Sequence, residues 1–145
     1  MLDKIKQLEA ISRKLEPSAS QRADMQKHVL GYTENFLDHI YELPAYVMTE
    51  TKGIGLNELP IGENPRPISQ LISAIRENVD NVSLNPASGG HLGYIPGGGV
   101  YPASLGDYLA AVTNRFAGIF FASPGAVRIE NMLIDWMARV LWVSQ

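Results

Sequence analysis

Between Ser18 and Pro44 the apolar side chains Met25, Val29, Tyr32, Phe36 and Ile40 recur at intervals of four, three, four and four residues. That period lays one stripe along an α-helix, whereas a strand would need alternation. A stripe of this length needs a partner surface, so the segment is committed to helix packing. Upstream, Leu2, Ile5, Leu8, Ile11 and Leu15 repeat the pattern with charged residues between them, predicting a first amphipathic helix that ends before Pro17. Ser18 or Ser20 can cap the second helix, which should stop at Leu43 because Pro44 lacks an amide hydrogen and restricts the residue before it. Pro44, Pro60, Pro65 and Pro67 with Gly53, Gly55 and Gly62 then break every period, giving a meandering connection. A third helix begins near Pro67 and sets Ile68, Leu71, Ile72, Ile75 and Val79 on one face. The connection is longer than those within helix bundles, so these helices are expected to pack on something besides one another.

The composition changes at Asn85 and Pro86. Gly89, Gly90, Gly93, Gly97, Gly98 and Gly99 crowd one short segment, whose backbone can approach a ligand or a neighbouring chain closely. Helical period returns after Pro102 with Leu105, Leu109 and Val112. Gly118 to Ala122 reads as a short buried strand or extended segment, and Ser123 with Pro124 is a strong helix start. The last helix carries Ile129, Met132, Leu133, Trp136, Met137, Val140 and Leu141, an apolar surface wide enough to predict burial. The reading is mainly α, with a change of character that divides residues 1–84 from residues 85–145.

Charge and composition remove several functions. Lys and Arg number 12 against 15 Asp and Glu, a net charge of −3, so no positive excess exists to displace counterions from nucleic acid. With 46% hydrophobic residues the chain can form a core rather than a disordered tail. The absence of Cys removes disulfides, zinc-thiolate sites and thiol nucleophiles, and fits a cytoplasmic chain best. The N-terminus has no signal-peptide pattern, and the apolar and Gly stretch from Ala117 to Ala122 is too short to span a membrane.

The chemistry-bearing residues are sparse. Gly97 to Gly99 invites a phosphate-loop reading, but no Gly-Lys-Ser/Thr ending follows and a turn-rich connection is favoured. His28 and His39 lie too far apart along one helix to ligate the same metal, and no metal site is expected. His91, among glycines beside Tyr94, could face a pocket, although an ordinary loop hydrogen bond explains it as well. Asp107 and Glu130 sit early in their helices, where the dipole favours negative charge; Asp135, Arg115 and Arg128 cannot be paired by sequence. Lys4, Lys6, Lys14, Lys27 and Lys52 all precede the Gly-rich segment, so no Schiff-base Lys is expected within the chain.

One run is distinctive: HLGYIPGGGVYPASLGDYL from His91 to Leu109, then Asn114-Arg115-Phe116, Phe121 to Gly125, Glu130, and Asp135-Trp136-Met137. It resembles the group II pyridoxal-phosphate-dependent decarboxylases, the family of aromatic amino acid and histidine decarboxylases, over about the last sixty residues. The resemblance implies the N-terminal portion of a homodimeric cytosolic carboxy-lyase of amino acid metabolism. Its fold would be the incomplete start, over residues 85–145, of the large α/β domain of a type I, aminotransferase-like enzyme, preceded over residues 1–84 by an N-terminal helical dimerisation arm that wraps the partner subunit. Tyr94, Ile95, Pro96 and Gly97 would line the substrate pocket, and Phe116 and Gly118 would reach the neighbouring subunit's active site. No catalytic or cofactor-binding residue is expected within residues 1–145, since the family's Schiff-base Lys lies further along. Pyridoxal 5′-phosphate would therefore belong to the full-length protein, and this portion alone would be inactive. Gly97 stands where the family often has a hydroxyl residue, Gly118 where aromatic decarboxylases carry a bulky side chain, and Leu92 where Pro commonly follows His. The rival readings are a non-catalytic helical interaction module and a small phosphate-binding protein.

Overall fold

Helix α1 (Leu2–Ser12) tightens into a 3-10 turn at Arg13–Leu15, where the Arg13 guanidinium meets the Glu9 carboxylate at 2.7 Å, before Pro17 breaks the run. The computed structural model describes residues 1–95 and 97–141. They fall into two compact units, Met1–Gly98 and Gly99–Gln145.

In the first unit Ser18, rather than Ser20, caps α2 (Ala19–Asp38). Its Oγ accepts from the Gln21 N–H at 3.3 Å while Gln21 Oε1 accepts from the Ser18 N–H at 2.8 Å, a reciprocal box that satisfies two otherwise orphaned donors. Helix α2 ends at Asp38 and not at the expected Leu43. His39 Nδ1 lies 2.8 Å from the Asn35 carbonyl, the acceptor that its own amide would use in a continuing helix. Residues 39 to 42 are turns and Leu43 a bend instead, with the Glu42 N–H on the His39 carbonyl at 2.9 Å.

The Pro- and Gly-interrupted connection holds more order than a meander. It includes β1 (Tyr46–Val47) and a 3-10 turn at Ile54–Glu58. Helix α3 (Ile68–Ile75) follows Pro67 and widens into a π turn at Arg76–Asp80, with the Asn81 N–H reaching back to the Arg76 carbonyl at 2.9 Å. Helices α2 and α3 pack together, and the 3-10 turn packs on the π turn. Gly53 makes that second approach possible: at φ +78° it is left-handed, and a Cβ there would stand 2.6 Å from the Asn78 carbonyl oxygen. Across the first packing the Tyr32 hydroxyl donates to the Asp80 carboxylate. The Tyr32 pKa is pushed up to about 12, first by burial and then by that hydrogen bond and the Asp80 charge, with Arg76 opposing.

The strand β2 (Ser83–Leu84) pairs antiparallel with β1, Tyr46 opposite Leu84 and Val47 opposite Ser83. The Asn85 N–H continues the ladder to the Ala45 carbonyl at 2.9 Å. This short ribbon fixes where the Gly-rich segment starts.

The second unit consists of α4 (Tyr101–Thr113) and α5 (Pro124–Val140). Asn114, left-handed at φ +43°, terminates α4 through its N–H on the Ala110 carbonyl at 2.9 Å. Gly118 to Ala122, expected as a short buried strand or extended segment, is a bend and turn with the Ala122 N–H on the Ile119 carbonyl at 3.0 Å. Phe121 is 94% exposed. Apolar composition without a neighbouring strand supplies no ladder partner for extended backbone, so the segment closes its hydrogen bonds locally.

The architecture is mainly helical, as the sequence predicts. Among the described residues Ala74 is the one buried apolar side chain, with Ser88 and Ser123 the buried polar ones. Leu2, Ile5, Leu8, Ile11 and Leu15 of the first stripe are exposed, and so are Ile129, Met132, Leu133, Trp136 and Met137 of α5, against the expectation of burial. Tyr32, Phe36 and Ile40 are half-buried, while Met25 and Val29 at the other end of α2 remain open. No helix among the described residues is long and apolar enough to cross a membrane.

Candidate functional site

Asn85 begins the Gly-rich segment with a local turn, its Oδ1 accepting from the Ala87 N–H at 3.1 Å. Ser88 anchors it. This buried hydroxyl donates to the Leu43 carbonyl at 2.6 Å and accepts from the Gly90 N–H at 3.2 Å, joining the end of the α2 region to the loop. The His91 N–H returns to the Ser88 carbonyl at 3.0 Å, which delivers the imidazole just beyond the anchor.

The His91 ring stacks on the Tyr94 ring with centroids 6.3 Å apart and planes 21° from parallel. Its Nε2 is buried and has no hydrogen-bond partner, so the ordinary loop hydrogen bond weighed for His91 is not made by that atom. Tyr94 adopts φ +65°, a left-handed conformation that a bulky residue seldom takes. Such a backbone is held only where its surroundings determine it. The stacked pair presents Tyr94 outward, 83% exposed, followed by an exposed Ile95. Gly97 is open, with no atom near the position of a Cβ, and Pro96 lies outside the described residues. The Gly98 backbone instead approaches Ala87, whose Cα would be 3.3 Å from an added Cβ.

The other two sequence-predicted site residues belong to the second unit. Phe116 turns its ring back over Gly118: a Cβ at position 118 would lie 2.6 Å from Phe116 Cζ. The following turn is braced by the Arg128 guanidinium, 5.3 Å from the centre of the Phe120 ring. Asp107 lies on α4, and Glu130 and Asp135 on α5, so the carboxylates are carried by helices. His28 sits 3.9 Å from Asp24 on α2. Among the described residues no group of three or more His, Asp or Glu is arranged to hold a metal ion.

The candidate residues thus fall into two groups, one in each unit. One is a stacked His–Tyr pair on a hydrogen-bonded loop; the other is an aromatic ring laid on a glycine. They supply shape, apolar area and an imidazole. Ser88, which anchors the first, carried no sequence signal, because its partner is a backbone carbonyl distant along the chain.

Comparison with known proteins gives the chain a context. It is 30% identical to an aromatic-L-amino-acid decarboxylase of Bacillus atrophaeus over 118 residues, covering 77% of this chain and 25% of that protein. It is 24% identical to the aromatic-L-amino-acid decarboxylase of Rattus norvegicus over 116 residues, 79% of this chain and 24% of the relative. A tyrosine decarboxylase of Oryza sativa subsp. japonica is 27% identical over 99 residues, 66% of this chain and 19% of the relative. The chain therefore spans about a quarter of the length of the first relatives it matches. No family model and no solved structure matches it.

Proposed function

We propose that the chain is the N-terminal portion of a pyridoxal-phosphate-dependent amino acid decarboxylase, contributing dimer contacts and substrate-pocket residues. The observation that carries this reading is the similarity to aromatic-L-amino-acid decarboxylases along more than three-quarters of the chain. In this reading Tyr94, Ile95, Pro96 and Gly97 form one wall of the substrate pocket. Phe116 and Gly118 form another, reached across the subunit interface. The exposed stripe of α1 supports a role for the N-terminal helices in pairing two subunits, because such a surface gains most by meeting another apolar one.

The residues present do not fit the cofactor itself. Its covalent attachment needs a Lys amine, and the lysines here stand on α1 (Lys4, Lys6), in the turn after it (Lys14), on α2 (Lys27) and beside Gly53 (Lys52). None lies on the loop of His91 and Tyr94 or in the second unit. The anchoring Lys is assigned to chain outside residues 1–145, and the bond-breaking chemistry with it. This portion then recognises substrate and leaves cleavage to the rest of the enzyme.

The test is the complete gene product, loaded with pyridoxal 5′-phosphate and offered L-phenylalanine, L-tyrosine, L-tryptophan, L-histidine and L-glutamate. Release of carbon dioxide from one of them supports the reading. A product that releases none, or a reading frame that stops at Gln145, overturns it in favour of a helical interaction module.

A further inference from the structure

The Phe116 ring and Gly118 occupy one another's space. With an ideal Cβ placed on Gly118, Phe116 Cζ, Cε2 and Cε1 would stand 2.6, 3.0 and 3.3 Å away. Real Cβ contacts do not fall that short, so the ring can lie where it does only while position 118 has no side chain. Both neighbours of this short segment are fixed. Asn114 ends α4 in a left-handed conformation, and the turn after Gly118 is closed by the Ala122 N–H on the Ile119 carbonyl, with Arg128 over Phe120. The ring is nevertheless 64% exposed, so its fold-back over the glycine leaves most of its surface to meet another group.

We propose that Gly118 is a positioning residue for Phe116: the pair acts as one unit, in which the glycine sets where the aromatic wall of the pocket stands. This rests on the substrate-pocket role given to Phe116 above. A methyl group at position 118 forces the ring into another rotamer. Because the ring is exposed, that movement costs the fold little, and it removes the wall from its place. Shortening Phe116 removes the same wall. The two changes are therefore equivalent in their effect on substrate and cannot add.

The experiment is a double-mutant cycle on the complete, cofactor-loaded protein, using Gly118→Ala, Phe116→Leu and their combination. KM and kcat are measured with whichever of L-phenylalanine, L-tyrosine, L-tryptophan, L-histidine and L-glutamate it decarboxylates best. The expected result is that each single change raises KM by about fivefold or more, with kcat within about twofold of the parent, because an interaction shared by ground and transition states is lost. The combination should be no worse than the more impaired single variant, and Tm should be unchanged. An unchanged KM in Gly118→Ala, or effects that multiply in the double variant, overturns the proposal while leaving the decarboxylase reading intact. A parent protein that decarboxylates none of these amino acids overturns that reading, and this inference falls with it.

Discussion

The Tyr32 hydroxyl and the Asp80 carboxylate form a hydrogen bond between residues 48 positions apart, tying α2 to the π turn that extends α3. It joins two elements far apart along the chain, so the bond should matter to the fold. Tyr32→Phe removes the donor and leaves a part-buried carboxylate oxygen without that partner. The expected loss is about 1–2 kcal/mol in urea unfolding, at unchanged m-value.

The same pair sets a pH dependence. Tyr32 ionises in the folded protein at about 12, above the usual 10.0. A raised pKa on a group that is neutral when protonated means its stabilisation is complete below pH 10.0 and is lost as pH climbs through about 12. Unfolding midpoints should accordingly fall between these pH values, and fall less steeply in Tyr32→Phe. Tyrosinate absorbance should show a late step from Tyr32, and that step should vanish in the variant.

Gly53 and Gly62 give a matched test of backbone demand. Gly53→Ala introduces a Cβ into left-handed backbone 2.6 Å from the Asn78 carbonyl oxygen, whereas Gly62→Ala meets no atom within 4 Å. The first should cost about 1–3 kcal/mol by denaturant midpoint, and the second should lie within about 0.5 kcal/mol of the parent.

Ser88→Ala should loosen the loop that carries His91 and Tyr94. The substitution withdraws the donor to the Leu43 carbonyl and the acceptor for the Gly90 amide at a buried position. A loss of about 1–3 kcal/mol is expected. Amide exchange should quicken most at Gly90 and His91, and an unaltered exchange pattern would contradict the anchoring role.

Ser18→Ala should weaken α2 by about 1 kcal/mol, with faster exchange in its first turn, because the reciprocal box with Gln21 is broken. Ser20→Ala should have a smaller effect, since Ser20 contributes only a 3.0 Å contact to the Ser18 hydroxyl.

Helix existence was legible in the sequence because it depends on local spacing. The stripes of Met25 to Ile40 and Ile68 to Val79, and the Ser123-Pro124 start, each mark a helix through residues close along the chain. What depends on distant partners was not. The early end of α2 comes from the His39 ring on the Asn35 carbonyl, the β1–β2 ribbon pairs segments separated by α3, and Ser88 works through Leu43. The strand expected at Gly118 to Ala122 rested on apolar composition, which describes burial and carries no information about a ladder partner. At the candidate site, motif likeness selected Tyr94, Ile95, Pro96, Gly97, Phe116 and Gly118, of which Pro96 lies outside the described residues. The left-handed Tyr94 backbone, the His91 stacking and the ring over Gly118 depend on backbone torsion and ring packing, which residue spacing does not encode.

The π turn at Arg76–Asp80 is equivalent to one residue inserted into a helix, for its Asn81-to-Arg76 bond spans five residues where an α-helix spans four. That extra residue rotates everything after it by about 100° relative to α3. Asn78 is thereby turned toward Gly53 and Gly55, and Asp80 toward Tyr32, from one stretch of backbone. A single-residue deletion here would restore ordinary helical winding while swinging both contacts off their partners at once. Length, rather than side-chain identity alone, is what this corner of the protein cannot vary.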